Sequence, residues 1–147
     1  MVIGAIFAGG IGSRMGSADM PKQYLQLGSK PIIVHTIEKF VVNPGIDRII
    51  VLCPKAWIAH TKDLVKKYLG EAIAEKINVV EGGSTRNGTL ENALKFINEN
   101  FAIDDDSVIV THDAVRPFVT HRIIDENIEA AKKYGACDTV IPATDTI

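Results

Sequence analysis

The sequence has few cysteines and no excess of positive charge. Its two cysteines, Cys53 and Cys137, lie far apart and form no Cys-x-x-Cys or Cys/His spacing. Each lies within or at the end of a predicted strand, so we expect two buried thiols. The formal net charge of −2 leaves no basic excess, which argues against a nucleic-acid surface. With 46% hydrophobic and 23% charged residues, the composition is that of a soluble globular protein.

Long apolar runs are absent as well. No run approaches the roughly 18 residues that a membrane span requires. The first predicted strand is followed by glycine and arginine, not by a signal-type cleavage site, so we expect a cytoplasmic protein. The sequence contains no internal repeat or low-complexity stretch, and its 147 residues predict one domain with a sizeable core.

The most informative stretch lies at the beginning of the sequence. A short apolar run, Val2–Phe7, ends in Ala8-Gly9-Gly10-Ile11-Gly12, which predicts a buried strand leading into a glycine-rich loop. Glycine has no Cβ, so successive N–H groups can turn inward around anionic oxygens. Because Arg14 and Lys22 follow, the expected ligand carries several negative charges, as a nucleoside triphosphate does.

Two well-known phosphate-binding loops differ from this one. A P-loop requires G-x-x-x-x-G-K-[ST], whereas Lys22 lies between a proline and a glutamine. A dinucleotide-binding loop requires G-x-G-x-x-G, whereas the glycines of residues 10–16 are spaced G-x-G-x-x-x-G. The second predicted strand also ends in Leu52-Cys53-Pro54, without an acidic residue to hold a ribose. A nicotinamide-dependent oxidoreductase therefore remains a weaker alternative.

Strand-like and helical segments alternate along the whole chain. Strands are predicted at 2–7, 48–52, 77–80, 107–111 and 137–142, and the helices between them at 30–42, 57–68, 71–76, 89–101 and 121–134. This alternation predicts an α/β fold with an open, mainly parallel sheet and helices on both faces.

A second glycine-containing loop, residues 81–89, follows the third predicted strand. In an open parallel sheet, ligands collect at the carboxyl ends of the strands, so this loop and the first one are expected to face the same crevice. Ser84 or Thr85 can cap the helix that begins near Arg86. Capping does not account for Arg86 and Thr89 together with the two glycines, and we expect these residues to contact the base or the ribose.

The carboxylate of interest is Asp113, at the carboxyl end of the fourth predicted strand. One carboxylate beside a triphosphate commonly holds Mg²⁺ while the phosphates and water supply the other ligands. An ion pair with Arg116 is the alternative, and the two roles can coexist. The three aspartates at 104–106 precede the strand, so we expect them at the opposite edge of the sheet, as a turn and cap.

Four motifs occur in order along the chain: AGGIGSRMG from residue 8, PKQ from residue 21, GGSTR from residue 82 and HDAVRP from residue 112. Together they closely resemble the CTP-dependent sugar-alcohol-phosphate cytidylyltransferases, a family that contains the methylerythritol phosphate and ribitol 5-phosphate enzymes. The resemblance implies a Rossmann-like nucleotidyltransferase fold. It spans the whole chain.

The resemblance also implies roles for individual residues. Arg14 and Lys22 would be catalytic and would stabilise charge as the acceptor phosphate attacks the α-phosphorus. Mg²⁺ would be the cofactor, held in part by Asp113, and the hydroxyl of Thr89 would help to select cytosine. The CTP-binding residues would be Phe7, Ala8, Gly9, Gly10, Gly12, Gly82, Gly83, Ser84, Thr85, Arg86, Asn87, Gly88, Thr89 and Asp113.

Two motifs resemble the ribitol phosphate branch of the family. Phe7-Ala8-Gly9-Gly10 replaces the Ala-Ala-Gly form that is common in the methylerythritol branch, and residues 111–118 favour the same assignment. The implied reaction converts CTP and D-ribitol 5-phosphate to CDP-ribitol and pyrophosphate, for teichoic acid and cell-wall biogenesis. The alternatives are a 2-C-methyl-D-erythritol 4-phosphate cytidylyltransferase of isoprenoid biosynthesis and a non-catalytic nucleotide-binding fragment.

Members of this family continue beyond the point that corresponds to residue 147. They carry a projecting arm that forms the homodimer and grips the acceptor, and only Asp145-Thr146, at the start of that arm, is present here. We therefore expect residues 1–147 to be a single nucleotide-binding domain that is truncated at the start of the arm. CTP and a polyol phosphate are the expected partners, with no nucleic acid.

Overall fold

A four-stranded parallel sheet lies at the centre of the fold, in the order Ile77–Glu81 (β5), Arg48–Cys53 (β4), Val2–Phe7 (β1) and Val108–Asp113 (β6). The computed structural model describes residues 1–9 and 20–142. The strands are β1 (Val2–Phe7), β2 (Gln26–Leu27), β3 (Lys30–Pro31), β4 (Arg48–Cys53), β5 (Ile77–Glu81) and β6 (Val108–Asp113). The helices are α1 (Ile32–Val41), α2 (Ile58–Leu69), α3 (Glu71–Ala74), α4 (Arg86–Asn100) and α5 (His121–Tyr134). None of these described helices is both long enough and apolar enough to cross a membrane.

The two faces of β1 pack against different helices. Successive side chains of a strand point to opposite faces of the sheet. Ile6 accordingly joins a buried cluster with side chains of α1, α2 and α5, whereas Ile3 and Ala5 join a second cluster with side chains of α4. Helices therefore cover both faces of a parallel sheet, and the predicted fold class is confirmed.

The chain differs from the prediction near the start of α1. Lys30–Pro31 was expected to begin the helix, but these two residues pair antiparallel with Gln26–Leu27. Pro31 is the N-cap of α1, with φ −62° and ψ 149°. Proline has no N–H to donate, and at the N-cap position the helix requires none from it.

The prediction of a fifth strand at 137–142 is wrong. Residues 136–142 form no strand, and the side chains of Val140 and Ile141 are 78% and 84% exposed. Consecutive β-branched residues such as Thr139, Val140 and Ile141 favour a strand only where a neighbouring strand is available to pair with them. Here Asn127 of α5 holds the segment instead, since its Nδ2 donates to Oγ1 of Thr139 at 2.6 Å.

The two cysteines differ in burial. Cys53 is fully buried at the end of β4, as expected. Cys137 is exposed, so the prediction that it is a buried thiol is wrong. The error has the same cause as the missing strand, because the burial of Cys137 was inferred from its place in that strand.

Candidate functional site

Ala8 and Gly9, the described start of the first glycine loop, meet the second glycine turn across the end of β4. After β1, the N–H of Ala8 donates to the carbonyl oxygen of Leu52 at 2.7 Å. After β5, the N–H of Gly82 donates to the carbonyl oxygen of Cys53 at 2.9 Å. Strand β4 lies between β1 and β5, so its last two carbonyls bring both turns to one place on the sheet edge.

Gly9 lies beside the second turn, and Gly83 lies tightly against the start of α4. A Cβ placed on Gly9 would lie 3.6 Å from Oγ1 of Thr89 and 3.8 Å from the carbonyl oxygen of Gly83. A Cβ placed on Gly83 would lie 2.3 Å from the carbonyl carbon of Gly88, which no real side chain could tolerate. Gly83 is therefore required because the first turn of α4 passes directly against it.

Thr85 and Thr89 fasten the second turn to the start of α4. Thr85 is the N-cap, and its hydroxyl accepts from the N–H of Gly88 at 3.0 Å, which confirms the predicted cap. The hydroxyl of the buried Thr89 accepts from the N–H of Gly83 at 3.1 Å and donates to the carbonyl oxygen of Thr85 at 2.9 Å. Thr89 thus holds the turn in shape, and its expected contact with a base stays a prediction.

A hollow of about 230 Å³ lies between the two turns. It is bordered by the end of β1, the second glycine turn and the residues that follow β6. The lining residues are Phe7, Ala8, Gly9, Gln23, Gly83, Ser84, Thr85, Arg86, Thr89, Asp113, Ala114 and Val115. A larger groove of about 1280 Å³ runs beside β6 and α5, and Arg86 and Asp113 border both spaces. The hollow therefore adjoins a second space large enough for another small molecule.

Asp113 accepts hydrogen bonds from two arginines at the rim of the hollow. Arg116 Nε donates to Oδ2 at 3.1 Å, and Nη1 of Arg86 donates to Oδ1. Partial burial by itself would raise the pKa of Asp113, but the bonds from Arg86 and Arg116 outweigh it and hold that pKa below its usual value. The carboxylate is therefore ionised at neutral pH, and the ion pair with Arg116 is present as one of the two predicted alternatives.

The donor set around Asp113 fits Mg²⁺ only if a ligand supplies the other oxygens. Within residues 1–9 and 20–142, no three His, Cys, Asp or Glu side chains are grouped as a metal cage. Mg²⁺ is commonly held by one or two carboxylates while substrate phosphates and water complete the octahedron. Each carboxylate oxygen keeps a further lone pair beside its arginine bond. Asp113 can therefore serve as the carboxylate ligand of a Mg²⁺ ion that substrate phosphates and water also bind.

Arg86 links three elements of the site. It is the first residue of α4, it bonds Asp113 at the end of β6, and its guanidinium carbon lies 5.3 Å from the ring centre of Phe7 at the end of β1. Sequence reasoning assigned Arg86 to the ligand and missed its bond to Asp113. No local pattern could reveal it, because 27 positions separate the two residues.

Lys22 begins a 3₁₀ turn, Lys22–Tyr24, next to the hollow. Its neighbour Gln23 is buried, lines the hollow, and donates from Nε2 to the carbonyl oxygen of Ala8 at 2.6 Å. Gln23 is a site residue that the sequence reasoning left without a role, although the Pro-Lys-Gln motif contains it. Of the other predicted residues, Asn87 is exposed in the first turn of α4.

Three predicted residues lie outside the residues that the structure describes. They are Gly10, Gly12 and Arg14. The turn at 104–106 is described, and it lies at the start of β6 as predicted, where Oγ of Ser107 donates to Oδ1 of Asp104 at 2.6 Å.

The chain matches a family model and several solved structures. The family model, described as IspD: 2-C-methyl-D-erythritol 4-phosphate cytidylyltransferase, matches residues 2–147. A 4-diphosphocytidyl-2C-methyl-D-erythritol synthase from Anaerococcus prevotii DSM 20548 is 29% identical with a TM-score of 0.66, over 90% of this chain and 51% of that one.

Two further structures share the fold at lower identity. Another 4-diphosphocytidyl-2C-methyl-D-erythritol synthase is 24% identical with a TM-score of 0.70, over 88% of this chain and 53% of that one. The bifunctional IspDF from Campylobacter jejuni is 23% identical with a TM-score of 0.66, over 90% of this chain and 31% of that one. The chain thus spans about half the length of the two synthases it matches.

Proposed function

Because the chain belongs to the IspD family of 2-C-methyl-D-erythritol 4-phosphate cytidylyltransferases, we propose that it binds CTP for cytidylyl transfer to a polyol phosphate. The observation that carries this proposal is the meeting of the two glycine turns around one hollow, with Arg86 and Asp113 at its rim. Backbone N–H groups at turns and helix starts suit phosphate oxygens. A triphosphate is the ligand that would use both turns at once.

The proposed chemistry is an in-line displacement at phosphorus. An oxygen of the acceptor phosphate attacks the α-phosphorus of CTP, and the bond from that phosphorus to the departing pyrophosphate breaks. Lys22 and Arg14 neutralise the equatorial oxygens of the α-phosphorus during transfer. A protein contributes to such a reaction mainly by positioning and by electrostatic stabilisation, so fixed cations are the groups that matter.

Asp113 would supply a carboxylate ligand to Mg²⁺. Bound there, Mg²⁺ would neutralise charge on the triphosphate and on the departing pyrophosphate. The part of this chain is to keep the Asp113 carboxylate ionised and oriented, which the two arginine bonds do. Thr89 would keep the second turn in the shape that borders the hollow, through its bonds to Gly83 and Thr85.

The acceptor has two candidates, each favoured by a different observation. Phe7-Ala8-Gly9-Gly10 and residues 111–118 favour D-ribitol 5-phosphate, with CDP-ribitol as product. The family description and the names of the similar structures favour 2-C-methyl-D-erythritol 4-phosphate. Mass spectrometry of the products formed from CTP and each acceptor distinguishes the two.

Two experiments test the proposed function. In separate calorimetric titrations we expect the chain to bind CTP and not to bind NAD(H). The opposite result, binding of NAD(H) but not of CTP, would indicate an oxidoreductase. Pyrophosphate release is then measured with CTP and each acceptor. CTP binding without pyrophosphate release from either acceptor would show that these residues form a nucleotide-binding module without catalysis.

Three further assignments belong to the same proposal. Residues 1–147 form one nucleotide-binding domain, the protein is cytoplasmic, and the complete enzyme is a homodimer. The support for them is family membership and the resemblance of the motifs. Analytical ultracentrifugation measures the association state directly.

A further inference from the structure

We propose that Gln23 and Tyr24 are positioning residues that fix Lys22 at the edge of the hollow. The inference rests on the proposed function, because it assigns Lys22 a role at the α-phosphate. Its physical basis is that the two residues directly after Lys22 are anchored to different parts of the fold. A long, flexible lysine can act at one phosphate only if its backbone is held still.

The backbone of the turn is short and well bonded. The N–H of Tyr24 donates to the carbonyl oxygen of Pro21 at 3.0 Å, and the N–H of Leu25 donates to the carbonyl oxygen of Lys22 at 3.1 Å. Pro21, Gln23 and Tyr24 are buried, whereas Lys22 is half-buried. The lysine is thus presented from a turn whose other side chains are inside the protein.

Gln23 anchors the turn to the centre of the sheet. Its side chain is 2% exposed, and its Nε2 donates to the carbonyl oxygen of Ala8 at 2.6 Å. Ala8 is itself bonded to Leu52 at the end of β4. A buried amide that loses its partner pays a large desolvation cost, so this bond holds the turn firmly against the end of β1.

Tyr24 anchors the same turn to α2. Its hydroxyl lies 2.8 Å from Oγ1 of Thr61, and its ring stacks on Trp57 with centroids 4.5 Å apart and planes 13° apart. Thr61 donates its own proton to the carbonyl oxygen of Trp57 at 2.8 Å, so Tyr24 is the donor to Thr61. Burial raises the pKa of Tyr24 far above its usual value, which keeps this proton in place.

The two anchors together prevent the turn from sliding or rotating. Gln23 is tied to β1 and Tyr24 to α2, and these elements are both parts of the packed core. A displacement of about 1 Å at a catalytic group can cost about 100-fold in rate. Removing an anchor should therefore reduce kcat more than it weakens CTP binding, because the N–H of Ala8 keeps its bond to Leu52 and the second glycine turn keeps its bond to Thr89.

The test compares substitutions of Gln23 with a matched change nearby. Gln23→Met keeps the length and burial of the side chain but removes the N–H donor to Ala8. Gln26→Met, at an exposed position of the same segment, is the control. We expect Gln23→Met to lower kcat about tenfold or more, with the Kd for CTP from calorimetry nearly unchanged, and Gln26→Met to change neither.

A second substitution makes the bond to Ala8 depend on pH. Gln23→Glu has no donor while ionised, but its protonated form can again donate to the carbonyl oxygen of Ala8. Burial next to a carbonyl raises the pKa of such a carboxyl group. We expect the kcat of Gln23→Glu, relative to the unaltered chain at each pH, to rise as the pH falls from about 8 to about 6, while Gln23→Met shows no recovery.

Backbone exchange tests the positioning separately from the chemistry. Gln23→Met should speed hydrogen exchange at the amides of Tyr24 and Leu25, which close the turn, and leave the amides of α2 unchanged. Unchanged exchange at both amides would overturn the positioning role. If the unaltered chain releases no pyrophosphate, the proposed function fails and the catalytic part of the inference fails with it, whereas exchange still decides whether Gln23 holds the turn.

Two kinetic outcomes would also overturn the inference. A parallel loss of kcat and CTP affinity in Gln23→Met would mean that Gln23 contacts the nucleotide directly, as its place in the lining of the hollow allows. An unchanged kcat would mean that Lys22 does not depend on this anchor. Tyr24→Phe, which keeps the stacking on Trp57 but removes the bond to Thr61, should lower kcat in the same direction.

Discussion

The hydroxyl of Thr89 accepts a hydrogen bond from the backbone N–H of Gly83 at 3.1 Å, across six positions of the chain. The same hydroxyl donates to the carbonyl oxygen of Thr85 at 2.9 Å. One buried side chain therefore fixes both the glycine turn and the start of α4. The shape of the second glycine turn, which borders the hollow, therefore depends on Thr89.

Replacing Thr89 by valine should destabilise the chain and weaken CTP binding. Valine has nearly the same shape but leaves the N–H of Gly83 without its acceptor, at a cost of about 1 to 3 kcal/mol. Thr89→Ser keeps the hydroxyl and is the matched control. Urea unfolding and calorimetry with CTP measure the two effects, and equal stability of Thr89→Val and the unaltered chain would contradict the role assigned to the hydroxyl.

Adding a methyl group at Gly83 should disrupt the site more than adding one at Gly82. The Cβ of Gly83→Ala would lie 2.3 Å from the backbone of Gly88, so either the turn or the first turn of α4 must shift. The Cβ of Gly82→Ala would lie 3.4 Å from the side chain of Thr89, which is ordinary contact. We expect strongly reduced CTP affinity for Gly83→Ala only. Similar calorimetric affinities for the two variants would show that the close approach has no consequence.

The sequence predicted that the two glycine loops meet at one edge of the sheet, but not which contacts bring them together. The meeting depends on hydrogen bonds to Leu52 and Cys53 of β4, and hence on the order of the strands. The bonds from Gln23 to Ala8 and from Arg86 to Asp113 are long-range contacts of the same kind. A single sequence can show that Gln23 and Arg86 belong to motifs, but it cannot show which residues they contact.

The wrong predictions have a related cause. Segment 137–142 has the residue types of a strand, but pairing requires a neighbour that no local pattern specifies. The elements predicted best were those whose limits are set by local residues and not by a distant partner. Helix α5 is the clearest case, since its apolar periodicity and its final glycine gave the limits His121–Tyr134 correctly.

The stabilising contribution of Asp113 should depend on pH. Arg86 and Arg116 lower its pKa relative to the unfolded chain, so the contribution is present above about pH 4 and is lost as the pH falls through the lowered value. Urea midpoints of the unaltered chain and of Asp113→Asn should therefore differ at neutral pH and converge in acid. A difference that persists well below the folded pKa would mean that the arginine bonds do not act through the carboxylate charge.

The two cysteines should differ sharply in reactivity. Cys137 is exposed, whereas Cys53 is fully buried and its pKa is raised by that burial, so little of the thiolate is present or accessible. A thiol-specific disulfide reagent should label one cysteine per folded chain quickly and the second only in urea. Cys137→Ser should abolish the fast phase and Cys53→Ser should leave it intact. A fast phase that survives in Cys137→Ser would place Cys53 at the surface.

Removing Lys22 should affect turnover more than CTP binding. In the proposed mechanism the lysine stabilises charge that develops on the α-phosphate during transfer, and interactions confined to the transition state act on kcat. We expect Lys22→Ala, and likewise Arg14→Ala, to lower kcat by about 100-fold or more while the Kd for CTP changes little. Lys76→Ala removes an exposed lysine next to the opposite end of β5 and is the control for the loss of one positive charge. Steady-state kinetics of pyrophosphate release, together with calorimetry, separate the two parameters. A rise in KM with unchanged kcat would show that Lys22 binds the ground-state triphosphate, and the transition-state role would then have to be given up, since a cation that holds substrate and transition state equally cannot accelerate the chemical step.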